Sequence, residues 1–271
     1  MAKAVAEKKR PEVAVATRPE ANMLKMFEAS SSEGLENLSQ DDLALPFIKI
    51  LSGLDPILDE REDARKGDLF NTVTGEVYKG KEGIRVVPCA YQKRFIQWSP
   101  RGQGTGAPVN IFTPAEALPK TERSSDDNKE YVVGGDGDYI DETHQHFVLV
   151  LHDDGSAETA LIAMKSTQLK KSRKWNSMVA SVQLKGPNGN VFTPPRFSHV
   201  YHMKSTSEEN SKGSWHGWEI SRDSLVETEE VFRRAKDFHD TIMAGEVVVK
   251  HEGESAAGAG VADLPNDDIP F

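Results

Sequence analysis

The chain has 271 residues, 37% of them hydrophobic and 28% charged, with a formal net charge of -10, enough for one large domain or two small ones with a real core. Its single cysteine, Cys89, excludes an intramolecular disulfide and every multi-cysteine zinc site. The longest purely apolar run, Phe147–Leu151, is too short to span a bilayer, and the charged N-terminus lacks an apolar signal segment, so a cytoplasmic location is expected, with no membrane partner.

Residues 1–40 mix Ala, Glu, Lys, Pro and Ser with few large apolar side chains, which predicts a disordered arm. Met23–Phe27 could form a transient helical turn there. A folded domain is expected over residues 43–244. It starts with the apolar segment Leu45–Leu51, then a hairpin over Asn71–Tyr78 that turns near Gly75. Ile84–Tyr91 and Arg94–Trp98 read as strands. The Gly-rich stretch 101–108 and the charged stretch 119–130 read as loops.

Gln145–His152 is apolar on both faces and predicts a central strand; Asp153-Asp154-Gly155 turns it into a returning strand, Glu158–Met164. Ser166 or Thr167 can cap a helix reaching about Leu184, with Trp175, Met178, Val179 and Val182 as its apolar stripe. Gly186-Pro187-Asn188-Gly189 stops it. Arg196–Lys204 and Trp215–Ser221 predict strands separated by a polar loop, 205–214. Glu227–Met243 predicts a second helix, with Val231, Ala235, Phe238 and Ile242 on one face and Gly245 at its end. The expected architecture is mainly β with two helices. Its order of strand, hairpin, strand, helix and hairpin resembles the OB-fold, a small Greek-key barrel. Residues 250–271 lack any apolar period, are acidic and small, and read as a flexible tail.

Net charge conceals a segregation. From Ala160 to Lys204 there are eight Lys or Arg and no Asp or Glu: Lys165, Lys170, Lys171, Arg173, Lys174, Lys185, Arg196 and Lys204. Trp175, Phe192, Phe197 and Tyr201 lie among them. Cations neutralise phosphates and flat apolar rings stack on unpaired bases, so this mixture suits single-stranded nucleic acid. Trp175 is the exception, since its place on the apolar stripe assigns it to the core. A second such stretch is Lys93, Arg94, Phe95 and Trp98, followed by Arg101; strand alternation puts Lys93, Phe95 and Gln97 on one face and Arg94, Ile96 and Trp98 on the other. Trp215 and Trp218 fall on opposite faces of their strand, so at most one meets a ligand. The candidate DNA-binding set is therefore Lys93, Arg94, Phe95, Trp98, Arg101, Lys165, Lys170, Lys171, Arg173, Lys174, Arg196, Tyr201, Lys204 and Trp215.

The chain ends in Asp267-Asp268-Ile269-Pro270-Phe271. This resembles the C-terminal tip of bacterial single-stranded DNA-binding proteins. The resemblance covers the tip and its acidic linker, and it implies docking of replication, recombination and repair proteins. Phe271 can enter an apolar pocket, its carboxylate can meet a basic residue, Pro270 limits the freedom lost, and the aspartates suit a basic rim. About forty residues precede the domain, unlike that bacterial family, and Asn266 stands where an acid is common; a phage-encoded member of a separate lineage, working in the host cytoplasm, accounts for both.

Enzymatic signals are weak. His144-Gln145-His146 puts two imidazoles on one strand face, where Asp141 or Glu142 could join them on a metal, whereas His199 and His202 point apart. There is no phosphate-binding loop and no His-Glu-x-x-His helix. The expectation is a binding protein needing no cofactor, with self-association compatible with the chain. The rival readings are a single-strand annealing protein, a metal-dependent nuclease recruited by the tip, and a pure interaction protein that mimics the tip.

Overall fold

The computed structural model describes residues 21–38, 42–100, 102–103, 106–210, 213–247 and 249. The chain divides into two units, meeting between Asp42 and Leu43. In the first, α1 (Ala21–Ala29) is a nine-residue helix, longer than the single turn expected, whose Met23, Leu24, Met26 and Phe27 are exposed.

The second unit is a curled, antiparallel half-barrel sheet with smaller sheets and helices around it. Its five longest strands are β4 (Ile84–Trp98), β8 (Tyr139–Leu151), β9 (Ala157–Lys165), β12 (His199–Asn210) and β13 (Gly213–Leu225). They lie side by side in the order β9, β8, β4, β12, β13. The minor strands β5 (Asn110–Phe112), β6 (Thr121–Arg123) and β7 (Glu130–Val132) extend it, with β5 on β4 and β7 on β8. A separate three-stranded sheet is built from β1 (Ile48–Ile50), β2 (Leu69–Asn71) and β3 (Val77–Tyr78). The short helix α2 (Ile57–Glu60) lies between β1 and β2, and the hairpin of β10 (Leu184–Lys185) and β11 (Val191–Phe192) follows α3 (Gln168–Ala180). Helix α4 (Glu229–Ala244) closes the described domain, so the described residues hold four α-helices rather than two.

The alternating strands feed two cores. One face of the sheet sends Val86, Val148, Val150, Ile162, Tyr201 and Met203 against Trp175 of α3 and Ile48 and Leu69 of the small sheet. The opposite face sends Val87, Leu149, Val200 and Phe147 against α4, through Val231, Ala235, Phe238 and Ile242. Each large side chain so buried contributes about 1.5–3 kcal/mol. The double-sided apolar run of β8 thus sits between β4 and β9, buried on both sides. Helix α4 begins with Thr228, whose hydroxyl accepts the Val231 N–H, and ends at Gly245 in the left-handed region at φ 77°.

Several boundaries differ from the sequence expectation. The two strands expected over 84–98 are one, with a bulge at Cys89: Pro88 pairs with Val148 and Ala90 with Phe147. Proline cannot donate to a ladder, so a bulge is where a paired strand tolerates it. Within the expected loop 205–214, residues 205–210, 213 and 214 are instead ladder, from Ser205↔Trp218 to Asn210↔Gly213, because the pairing of β12 with β13 outweighs the polar composition. Residues 121–132 form a hairpin rather than a loop. Helix α3 stops at Ala180, short of Leu184, and neither Ser166 nor Thr167 gives it a side-chain cap: Thr167 holds the cap position without the hydrogen bond, and Ser166 turns at φ 49°. Val182 is still buried, beyond the helix. Glycine is required at Gly83, where φ is 75° and a Cβ would lie 2.2 Å from the Met203 carbonyl oxygen.

Candidate functional site

Helix α3 lies across the sheet with Ser172 and Trp175 fully buried and Lys170, Arg173 and Lys174 exposed. The basic residues follow from the helical period, which puts them opposite the Trp175 stripe. They open onto a cleft of about 1020 Å³, walled on its other sides by the β6–β7 hairpin, the start of β8 and Glu208 of β12.

The cleft is less positive than the acid-free segment suggests. Lys171 pairs with Glu208. Arg173 and Lys93 reach Glu142 Oε1 at 3.4 and 2.9 Å, and Lys165 lies 3.7 Å from Asp141. Folding has imported carboxylates from β8 and β12 to meet the helix. Lys170, Lys174 and Arg123 are exposed in the same cleft and form no ion pair among the described residues. Trp215 joins this group through Glu208, which accepts its indole N–H at 3.1 Å. Arg123 was not legible as a site residue, since it belongs to a segment that reads as a loop.

Other expected site residues lie apart. Tyr201 is 1% exposed and packs edge-on against Trp175 in the core, so its assignment as a stacking residue is corrected: its ring is needed to fill the sheet's inner face. Phe95 is half-buried beneath the Lys93 ammonium, 4.8 Å from the ring centre, and Trp98 is also half-buried. Arg94 curls back to the Lys93 carbonyl and the Gln92 amide oxygen. Lys204 is half-buried on β12, with its stem beside Gly83. Phe192, on the β10–β11 hairpin, is the aromatic of the basic segment that is most exposed, at 46%. Arg101 and the tip, Asp267 to Phe271, lie outside the described residues.

Arg196 is drawn inward rather than presented to a ligand. Its guanidinium sits 5.7 Å from both the Tyr91 and Trp175 ring centres, donating to Asn176 Oδ1 at 2.9 Å and His146 Nδ1 at 3.0 Å. Burial depresses its pKa to about 10, which still leaves it charged at neutral pH. This geometry sets the protons of a buried chain. Because His146 Nδ1 accepts from Arg196, its Nε2 carries the proton and donates to Ser172 Oγ at 2.7 Å. The Ser172 hydroxyl then donates to His144 Nδ1 at 2.7 Å, and His144 Nε2–H donates to Glu142 Oε1 at 2.9 Å.

The chain therefore runs one way, from Arg196 through His146, Ser172 and His144 to Glu142 at the cleft. Burial depresses His146 well below the usual histidine range, helped by the Arg196 charge. Burial also depresses His144, against the pull of Glu142. Burial works to raise the Glu142 carboxyl, but the hydrogen bonds from Lys93 and His144 outweigh it and hold it low. His144 and His146 do share a strand face, yet the ring nitrogens that converge both bond Ser172, which takes the position a metal would need. With Ser172 0% exposed, its hydroxyl is closed to a substrate.

Residues 13–248 match the family described as Pam3 phage gp34-like protein. The chain belongs to that family. The family is named for a phage protein, in agreement with the phage origin expected from the tip. No curated protein and no solved structure matches the chain. Among the described residues, no helix of this family member is long and apolar enough to cross a membrane.

Proposed function

We propose that this gp34-like protein binds single-stranded DNA without sequence preference and recruits replication, recombination or repair proteins through Asp267-Asp268-Ile269-Pro270-Phe271. The observation that carries the DNA reading is the cleft beside α3, where Lys170, Lys174 and Arg123 face solvent without a carboxylate partner among the described residues and Trp215 stands nearby. The strand order lends support. Numbered along the chain, the five long strands lie third, second, first, fourth, fifth, with α3 between the third and fourth. That arrangement is consistent with an OB-type Greek-key sheet, a platform for single strands.

Each unpaired cation that meets a phosphate releases a counterion, and single strands lose about 0.7 in log-log salt slope per contact. Replacing Arg123, Lys170 and Lys174 together by Ala should flatten the slope by about 2 and weaken binding most at low salt. All three are exposed, so the fold should survive. Fluorescence titration with labelled oligonucleotides at several salt concentrations checks it; an unchanged slope in the folded triple variant places the interface elsewhere.

The tip makes a separable prediction. Deleting Phe271 alone should abolish retention of host replication and repair proteins in a pull-down, because a buried aromatic dominates so small an interface. It should leave DNA affinity nearly unchanged, because Asp267 and Asp268 remain to compete for the basic surface. Equal recovery by the intact and shortened proteins refutes the docking role.

A further inference from the structure

We propose that Glu76, His152 and Glu158 form a binding site for one divalent transition-metal ion of zinc's class. The ligands come from two hairpins remote in sequence: Glu76 precedes β3, and His152 and Glu158 belong to the β8–β9 hairpin. One donor atom from each lies within 4.8 Å of the other two, and His152 Nε2 is 3.6 Å from Glu158 Oε1. Metal–ligand bonds of about 2.0–2.2 Å put neighbouring donors roughly 3–4 Å apart, so a small closing movement of side chains completes the set. One imidazole with two carboxylates suits zinc or manganese better than calcium or magnesium, which prefer oxygen-only shells.

Three further observations point to a cation. First, among the described residues no Lys or Arg pairs with either carboxylate: Glu76 has no ion pair and Glu158 has only the His152 contact. Secondly, the Tyr78 hydroxyl lies 2.9 Å from Glu76 Oε2 and 3.1 Å from Glu158 Oε1. A phenol has one proton, so it can donate to one carboxylate only, and the other faces its lone pairs. Thirdly, Asn71 is fully buried and its Oδ1 accepts the Val73 and Thr74 N–H groups at 3.0 and 3.1 Å. Its amide is thereby fixed, with Nδ2 donating to Glu158 Oε1 at 3.0 Å. Such an outer hydrogen bond is what orients a ligating carboxylate. A bound ion neutralises the pair and ties the β2–β3 hairpin to the β8–β9 hairpin. The site is separate from the α3 cleft and does not depend on the DNA reading.

Calorimetric titration of chelator-treated protein with Zn2+ or with Mn2+ tests the proposal. Saturable binding of one equivalent is expected, with a rise in melting temperature, and Mg2+ should not reproduce it. His152→Ala and Glu76→Gln should each weaken affinity about tenfold or more. Glu76 is exposed, so its variant keeps the fold, which melting without metal verifies. His202→Ala removes an imidazole bonded elsewhere, to the Glu82 carbonyl, and should change nothing. Absence of saturable Zn2+ or Mn2+ binding, or binding unaltered in both the His152 and Glu76 variants, overturns the site.

Discussion

Replacing Trp175 with Ala should destabilise the protein by about 3–5 kcal/mol, a large share of the roughly 5–15 kcal/mol that holds a domain together. Trp175 is 0% exposed and is the pivot between α3 and the sheet. Its ring stacks on His146 at 4.5 Å and 22°, meets Tyr201 edge-on at 5.8 Å, and supports the Arg196 guanidinium. Truncation would open a cavity under the one helix that carries the basic face. Its indole N–H has no hydrogen-bond partner among the described residues, so Trp175→Phe gives up packing volume but no hydrogen bond there, and should cost much less than Ala. Urea unfolding of both variants checks this. A loss below about 1 kcal/mol for Ala would mean that the helix is not anchored there.

Stability should also fall steeply on mild acidification. His146 and His144 are held neutral by burial, whereas in the unfolded chain they titrate near the ordinary value of 6.5. Below that pH the unfolded state binds protons that the folded state refuses. Stability is therefore intact above the unfolded pKa and declines as pH falls toward the depressed folded values, by up to about 1.4 kcal/mol per pH unit per histidine. Burial of His199 and His216 adds in the same direction. Glu142 acts in a lower window. Its depressed pKa contributes stability above the ordinary glutamate value of 4.5, and this is lost as pH falls further, through the folded pKa.

Ser172→Ala probes the same chain at neutral pH. It leaves the His146 Nε2–H and the His144 Nδ1 without partners, at a cost of about 1–3 kcal/mol for each. Unfolding curves at pH 7.5, 6.5 and 5.5 for the native protein and for His146→Gln discriminate. The native curve should slope and the variant should be flatter, whatever its absolute stability. A flat native profile over that interval would show that the histidines are not held neutral.

Much of this architecture was readable from residue order. The β8–β9 hairpin follows from an apolar run, an Asp-Asp-Gly turn and a returning run. Helix α4 follows from its 3.6-residue stripe and Gly245. Trp175 fell on the α3 stripe, and its burial follows from that. What was hidden is what depends on partners distant in the chain. The polar stretch Ser205–Asn210 becomes strand only because β13 pairs with it. Leu184–Lys185 and Val191–Phe192 are too short to carry a period, so their hairpin reads only as a stop. The acid-free run from Ala160 to Lys204 suggested an unopposed basic surface, but Glu142 and Glu208 reach it from other strands. Ser172 looked like any polar helix position, and nothing in the spacing of Glu76, His152 and Glu158 brings them together.

The bulge at Cys89 reverses the parity of β4. Before it, Ile84 and Val86 face the α3 side and Val87 faces α4. After it, Ala90 faces the α4 side, while Tyr91 and Lys93 stand directly across from His146 and His144 on the α3 side. One supernumerary residue next to a proline thus works as a phase slip. It lets a single strand line an oily interior with its even-numbered residues at one end and a charged opening with its odd-numbered residues at the other. Were Cys89 deleted, every side chain from Ala90 to Trp98 would change sides: Lys93 would leave Glu142, Tyr91 would leave the imidazoles, and Ile96 would be turned out of its burial.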